Sequence, residues 1–530
     1  MPELVGCICE VVDRRDAYAM ALTCRPWHSA ALDRIWRDLT FGELMTHLFC
    51  LLPSNVYKPP ENRYVLSYHR SPWLQHPKPD DYADLYRFSV RIRSLDLQDA
   101  DLDSDTLSVL ADHPPPRPLF SRLREVKLPP GALAKKGLPS PSFMRPFDSP
   151  LLSQVWVTWQ VGVGGRPKMI GLDACAAHTE GIRLCLEVYG PKLPVLVGAR
   201  SDIVRSVSLG CVAIEKSDWD ILGALPRLQT LELEIPPRIP SIPRPFRALR
   251  ELTVSTDQDC KPRVASFLRR CGPLALSSLE IRVGRDDNER EASPTESWRK
   301  LLQAVHDYCS HLDLAVLDVD DRGEMTRVQG DVLELLAPFQ ALEKVSLENK
   351  GGFDLDDTVV VSTIRRWKHL RELRMVPSVC CDEDNGENMC ENARYINTCS
   401  VDGLLEIVRH CPSLETLAVT VDFTSYFEPP GWDKGRPRST KITDLDFWNS
   451  KLFDPWKVAQ LVVTTFPAVL DPCLRISVLH VRYNKEFSLE WFTWKRWEEV
   501  LSMCYMVREA MREDRLGRST TYHGEKPPAR

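Results

Sequence analysis

The sequence predicts an α/β chain in which a short N-terminal unit of three helices is followed by an irregular solenoid of repeats, curved into a horseshoe. Three observations predict it. Apolar residues recur in one frame, at n, n+3 and n+5, from Ile92 to Val481. Stretches with a single apolar helical face fill several of the gaps between copies. The first 39 residues carry three short apolar series, interrupted by Asp13-Arg14-Arg15-Asp16 and by Pro26.

The frame opens with Ile92/Leu95/Leu97, Leu123/Val126/Leu128 and Leu152/Val155/Val157. It runs through Leu228/Leu231/Leu233, Leu314/Leu317/Val319 and Leu414/Leu417/Val419 to Ile476/Leu479/Val481, thirteen copies in all. Residues two apart in an extended chain face the same side, so n+3 and n+5 point inward from a short strand and n marks the corner before it. A degenerate fourteenth copy, "GIRLCLEV" at 181–188, fits the gap of 52 residues between the third and fourth. Most starts lie 21 to 31 residues apart, near the roughly 20 to 29 of leucine-rich repeats, and longer gaps read as insertions.

Helices are expected before several strands. "VDGLLEIVRHCPSLETLAV" puts Leu404, Leu405, Val408 and Cys411 on one face before Pro412 stops the helix. Val332, Leu335, Leu336 and Phe339 repeat the plan, as do Trp219, Leu222 and Leu225. A helix-turn-strand unit covers its apolar face only by stacking on its neighbours, which predicts a right-handed solenoid; an ordinary α/β sheet with uneven spacing is the alternative.

The 530 residues are 43% hydrophobic with a net charge of −6 and a pI near 6.1, which gives no electrostatic reason to expect nucleic acid or an anionic membrane as partner. Seventeen cysteines, odd in number and never in C-x-x-C pairs, read as free, mostly buried thiols of a reducing compartment. No apolar run has the length of a membrane helix, and Glu3, Glu10 and Asp13 stand where a secretory signal would be basic and then apolar. The expected location is the cytosol or nucleus.

At the N-terminus Pro2 suits a first helical turn, and Leu4, Ile8 and Val11 recur at helical spacing. Asp16 is the expected N-cap of a second helix, with Ala19, Ala21 and Leu22, ending at Cys24. After Pro26, Trp27, Ala30, Ala31, Ile35, Trp36 and Leu39 form a third apolar series. Three short helices hold more apolar surface than so small a core can take. Either a partner covers it, or the unit caps the open end of the solenoid.

The ordering Pro2-Glu3-Leu4, Ile8, Asp13 to Asp16, Ala21-Leu22-Thr23-Cys24-Arg25, Trp27 and Ile35 to Leu39 resembles an F-box. That module docks substrate receptors on the Skp adaptor of cullin-RING (SCF) ubiquitin ligases, and leucine-rich repeats often follow it. The resemblance spans about 40 residues. It implies an adaptor-facing surface at or beside Pro2, Leu4, Ile8, Leu22, Cys24 and Trp27, together with Trp36, which closes the third helix. Met1, Ala17 and Thr23 depart from the family pattern, each by a smaller or more polar side chain.

These features divide the chain into an F-box-like head (1–40), a linker and N-terminal cap (41–90), the repeats (91–486), a C-terminal capping helix (487–516) and a disordered tail (517–530). In the second segment a helix from Asp80 to Tyr86 would roof the first strand with Tyr82, Leu85 and Tyr86. Proline-rich stretches at 113–120, 129–150, 235–246 and 428–439 read as loops along one rim. In the capping helix Trp494, Trp497, Leu501, Cys504 and Val507 fall along one side.

Motifs for bond chemistry are not found. "VGVGGRP" (161–167) lacks the Lys-Ser/Thr of a phosphate loop, and no G-x-S-x-G or H-E-x-x-H occurs. The loop at 379–399 holds Cys380, Cys381, Cys390 and Cys399, but the spacing suits neither zinc nor calcium, so no metal and no cofactor is expected. His178, His306 and His410 read as structural. The expected function is therefore non-catalytic: recruitment of an unidentified protein substrate to a Skp-type adaptor, and through it to cullin. The alternatives are a plain repeat scaffold and a hydrolase with its nucleophile in a loop.

Overall fold

In the computed structural model the described residues are 2–58, 73–97, 109, 113, 115–128, 149, 151–160, 183–189, 204–210, 216–236, 239, 246–256, 261–284, 294–322, 327–349, 351–376, 399–424, 437–447, 450–470, 496, 499–500 and 502–509. The chain divides into two compact units, Met1–Leu249 and Arg250–Arg530.

The first unit begins with three helices, α1 (Pro2–Val11), α2 (Arg14–Thr23) and α3 (Arg25–Arg37). Parallel strands follow: β1 (Asp38–Thr40), β2 (Ser94–Asp96), β3 (Glu125–Leu128), β4 (Gln154–Gln160), β5 (Arg183–Tyr189), β6 (Val204–Gly210) and β7 (Thr230–Glu234). Each pairs with the next in chain order. Leu39, Leu95, Val126, Val155 and Leu184 stand opposite one another along this ladder. After a register shift between Leu184 and Cys185, the line resumes through Leu186, Val207 and Leu231. The n+3 residues Leu95, Val126, Val155, Val207 and Leu231 are all buried, and the degenerate copy is the strand β5.

One unit of the frame lies earlier than the sequence suggested. Trp36, Leu39 and Phe41 follow the same spacing, and β1 pairs with β2. Leu39 belongs to this strand and not to the third helix, because its position three residues after Trp36 satisfies the helical and the strand pattern alike. Residues 41–51 form a chain of tight turns: a short helix at Phe41–Glu43 capped by Thr40, a π turn at Leu44–Leu48 and a 3-10 turn at Phe49–Leu51. Leu44, Met45, Leu48 and Phe49 are buried there. Of the described aromatic residues that follow, Tyr57 donates to the Met45 carbonyl at 2.9 Å and stands edge-on to Trp73. Tyr82, in the 3-10 turn Pro79–Tyr82 before the helix Ala83–Ser89, donates to the His113 carbonyl at 2.7 Å.

The second unit repeats the plan. Its strands are β8 (Glu251–Thr256), β9 (Ser278–Val283), β10 (Val316–Asp321), β11 (Val328–Gln329), β12 (Lys344–Asn349), β13 (Phe353–Asp354), β14 (Glu372–Val376), β15 (Cys399–Ser400), β16 (Thr416–Val419), β17 (Val421–Phe423), β18 (Asp444–Asp446) and β19 (Lys451–Leu452). The long ladder β8-β9-β10-β12-β14-β16-β18 aligns Leu252, Leu279, Leu317, Val345, Leu373, Leu417 and Leu445, none more than 2% exposed. Short parallel ladders, β11-β13 and β15-β17-β19, accompany it.

Helices stand between the strands, and each touches the next: Lys261–Cys271, Pro294–Tyr308, the 3-10 segment Gly330–Leu336, Asp357–Ile364 and Val401–His410. The segment expected as an α-helix around Val332 is 3-10. Its buried side chains are Val332, Leu333 and Leu336, and Pro338 forbids a longer helix. A buried ion pair locks this layer to the sheet. Lys261 Nζ lies 3.0 Å from Asp321 Oδ2, which also accepts from Trp298 Nε1 at 2.9 Å, and both charged side chains are at most 2% exposed. Gly403 lets two helices approach: a Cβ there would stand 2.3 Å from Asp357 Oδ1 and 2.5 Å from Cys399 Sγ.

At the far end, Val500 and Cys504 of the C-terminal helical segment are buried, with Cys504 Sγ 3.8 Å from the Ala459 carbonyl of the helix Pro455–Thr465. Trp494, Trp497 and Leu501, the last copy of the frame at Ile476, the glycine cluster at 161–167, His178, Cys380, Cys381, Cys390 and the tail lie outside the described residues. So does most of the proline-rich sequence.

Candidate functional site

Among the described residues, two surfaces bear most directly on function. The first is the three-helix head. α2 starts at Arg14, earlier than expected, because Asp13 is its N-cap and accepts from the Asp16 amide at 2.7 Å. Asp16 becomes a first-turn acid. α3 opens on Arg25-Pro26, with proline in the first turn where no donor is needed. α3 packs against both α1 and α2. The core they share is small: Cys9, Ala21 and Ala31 are buried, with Val5, Met20, Trp27, Ala30 and Ile35 around them. Ala17 is fully buried beside it.

So small a core leaves apolar side chains bare. Leu4 is 58% exposed and Val11 84% on α1, while Tyr18 is 61% and Leu22 73% exposed on α2. Leu4 and Val11 lie two turns apart on one helix, and Tyr18 and Leu22 one turn apart on the other, so each pair forms a stripe. Cys7 and Cys24 are exposed beside them. Of the residues singled out from the sequence, Leu4, Leu22 and Cys24 are thus exposed and Ile8 is half-buried. Trp27 faces the head's own core, and Trp36 lies with its ring 4.9 Å from that of Phe88. The Pro2 side chain lies outside the described set. Val11 was read as part of the apolar series of the first helix but not as an adaptor-facing residue, and Tyr18 was not singled out; their helical spacing to Leu4 and Leu22 is the signal that finds them.

The head is tied to the strands behind it. Arg91 reaches the Asp33 carboxylate and the Ser29 carbonyl, Arg14 pairs with Glu43, and the Arg93 amide donates to the Arg37 carbonyl at 2.8 Å.

The second surface is the face of β9, β10, β12 and β14 opposite the buried leucine row. Register places Glu280, Asp318, Ser346 and Arg374 side by side in one line, and Arg282, Asp320 and Glu348 in the next. Lys344 and Glu372 begin a third. Together they line a cleft of about 380 Å³. Lys344 Nζ bridges Asp318 at 3.1 Å and Glu372 at 3.6 Å, and Arg374 lies 3.6 Å from Glu348. Burial pushes the Glu348 carboxyl above the ordinary carboxylate range, and the nearby Asp320 and Asp318 charges add to it; Arg374 offsets only part. Burial works against the Lys344 charge, but Asp318 and Glu372 outweigh it and hold its pKa above the usual value.

Among the described residues, no group of three His, Cys, Asp or Glu side chains is placed to hold a metal ion. His306 hydrogen-bonds Asp307 at 3.0 Å, and burial, with the Arg365 and Arg409 charges, lowers the pKa of His410. The cysteines whose side chains are described are free thiols, and burial pushes Cys309, Cys411 and Cys504 up to about 12, which leaves them poor nucleophiles. No described helix is long and apolar enough to cross a membrane.

No protein-family model matches the chain, and no curated protein does. Among solved structures it is similar to an internalin (InlF) from Listeria monocytogenes, with 11% identity and a TM-score of 0.26, over 72% of this chain and 92% of that one. At that score the likeness bears no weight. The leucine-rich-repeat-like architecture stands on the strand register and the recurring n, n+3, n+5 frame.

Proposed function

We propose that the chain is a non-catalytic recruiting subunit of an SCF ubiquitin ligase, whose head docks a Skp-type adaptor, and through it cullin, while the repeats hold a protein target. The observation that carries this reading is the bare pair of stripes, Leu4 with Val11 and Tyr18 with Leu22, on a head whose residue order resembles an F-box. Burying such side chains contributes about 1.5–3 kcal/mol each, enough for a few of them to anchor an interface. The chain itself breaks no bond. Holding a target raises the effective concentration of its lysines near a ubiquitin-loaded enzyme carried elsewhere in the complex. The role belongs to the cytosol or nucleus.

Co-elution of the purified chain with a purified Skp-type adaptor tests this; failure to form a complex at micromolar concentration defeats it. A second reading has its own support. β1 extends the ladder and Trp36 packs against Phe88, which is what a repeat scaffold with a helical end cap would also need. That reading predicts no adaptor complex at all.

A further inference from the structure

We propose that His410 is a proton-operated latch between two helices of the second unit, Asp357–Ile364 and Val401–His410. When neutral, it accepts from Arg365 and ties the helices together. When protonated, it turns to Glu406 on its own helix and lets Arg365 go. The inference is independent of the ligase reading.

The two helices pack on each other, and their C-terminal ends meet. Arg365 is the C-cap of the first, and His410 is the last residue of the second. His410 Nε2 lies 3.2 Å from Arg365 Nε and 3.1 Å from Glu406 Oε2. A ring nitrogen has one in-plane position, filled by a hydrogen or by a lone pair, so Nε2 serves one of these partners at a time. A guanidinium only donates and a carboxylate only accepts. The bond from Arg365 therefore needs a bare Nε2, whereas the bond to Glu406 needs Nε2–H. The neutral ring has a choice, with its proton on Nδ1 or on Nε2. The charged ring carries both hydrogens, and only Glu406 is left to it.

The surrounding charges favour the bare nitrogen at neutral pH. Glu406 is already served by guanidinium groups: Arg409 pairs with its Oε1, and Arg365 Nη2 lies 3.8 Å from its Oε2. Other titratable groups on the elements packed against Val401–His410 point elsewhere. Asp357 bonds Ser400 at the opposite end of the helix, where the buried Cys399 thiol also lies, and Asp422 of β17 bonds Thr424. Arg366, Lys368 and His369, just past the first helix, are exposed and form no hydrogen bond or ion pair with the ring. Burial, with the Arg365 and Arg409 charges, holds the His410 pKa below the ordinary value. The folded chain thus takes this proton less readily than the unfolded one. The stability that the neutral ring contributes is complete above the ordinary histidine pKa, and it is lost as pH falls through that value toward the lower folded one.

The part that loosens is the last turn of the first helix. There the Arg365, Arg366 and Trp367 amides donate to the carbonyls of Val361, Thr363 and Ile364. Hydrogen–deuterium exchange of the full chain, read by mass spectrometry on peptides spanning 357–367 and corrected for intrinsic exchange, follows these bonds at pH 7.5 and pH 5.0. The expected result is exchange at least about threefold faster at pH 5.0 in that segment, with the helix Pro455–Thr465, which carries no histidine, unchanged. In His410→Gln the side-chain carbonyl accepts from Arg365 at either pH, so the difference should disappear. In His410→Lys exchange should be fast at both. A parent segment indifferent to pH overturns the proposal, and so does a pH effect that survives in His410→Gln, since another group would then be its source. Where a His410 variant lacks a cooperative thermal transition, Arg365→Gln serves instead, its side chain being 58% exposed. With no bond left to release, its exchange should be independent of pH, and a persisting pH effect counts against the latch.

Discussion

Replacing Leu4 and Leu22 by alanine should weaken docking of a Skp-type adaptor while leaving the free chain as stable as before. Complete burial of a leucine contributes about 1.5–3 kcal/mol. Leu4 is 58% and Leu22 73% exposed in the free chain, so only those fractions remain to be gained on docking. That is about 0.9–1.7 kcal/mol for the first and about 1.1–2.2 kcal/mol for the second, or about 2–4 kcal/mol together. At about 1.4 kcal/mol per factor of ten, Kd rises roughly 30- to 800-fold, the lower end being favoured because alanine keeps one methyl group. Isothermal titration with purified adaptor gives the affinity, and a thermal melt gives the stability, which for exposed positions should move by no more than about 0.5 kcal/mol. A change in Kd of less than about threefold with an unchanged melt would refute the reasoning, since the area counted as available would then not be used. Trp27→Ala is the contrasting variant. Its ring packs on Cys9, Ala21 and Ala31, so its loss should loosen the head itself, and weaker docking there would report unfolding.

Three further outcomes follow from contacts in the second unit. Lys261→Met leaves the Asp321 carboxylate buried without its cation and should cost about 3–5 kcal/mol in urea unfolding, much of which Lys261→Met with Asp321→Leu restores; a cost under about 1 kcal/mol for the single variant would contradict this. Glu348→Gln should raise the melting temperature at neutral and alkaline pH: the folded chain holds the Glu348 proton more tightly than the unfolded one, so the parent loses stability as pH rises through the ordinary carboxylate range and then through the raised pKa. The advantage should vanish in acid, and an advantage confined to acid would reverse the sign of the argument. Gly403→Ala should destabilise the helix Val401–His410 despite alanine's higher helix propensity, because its Cβ meets Asp357 and Cys399; a higher melting temperature would show that these side chains yield freely.

The strand frame was legible because two constraints survive insertions of any length: the alternation of a strand and the corner residue three positions ahead of it. Leu279, Leu317 and Val345 are read from their own neighbours and need nothing from the loops between them. β1 was not legible, since three residues are too few to show alternation and Leu39 also continued the helical series of α3. The start of α2 turned on a choice between two aspartates three residues apart, Asp13 and Asp16, either of which can cap. On the head, Leu4, Val11 and Leu22 followed from pattern, whereas the exposure of Val11 and the place of Tyr18 emerged only once the shared core proved too small to cover them. Lys261 and Asp321 are 60 residues apart, and Asp320 meets Glu348 only through register. Pairings of that kind are decided by the three-dimensional stack and leave no local trace.

Helix α3 ends at Arg37 and β1 begins at Asp38, so no spacer separates the head from the first rung of the ladder. The joint is braced by Trp36 on Phe88 and by Arg91 on Asp33 and Ser29. A joint of this kind transmits tilt and cannot absorb it: a body seated on α1 and α2 inherits the bearing of the adjoining strands. Grafting the head onto another array would therefore have to carry residues 36–41 and the brace with it, or the angle of presentation would be lost.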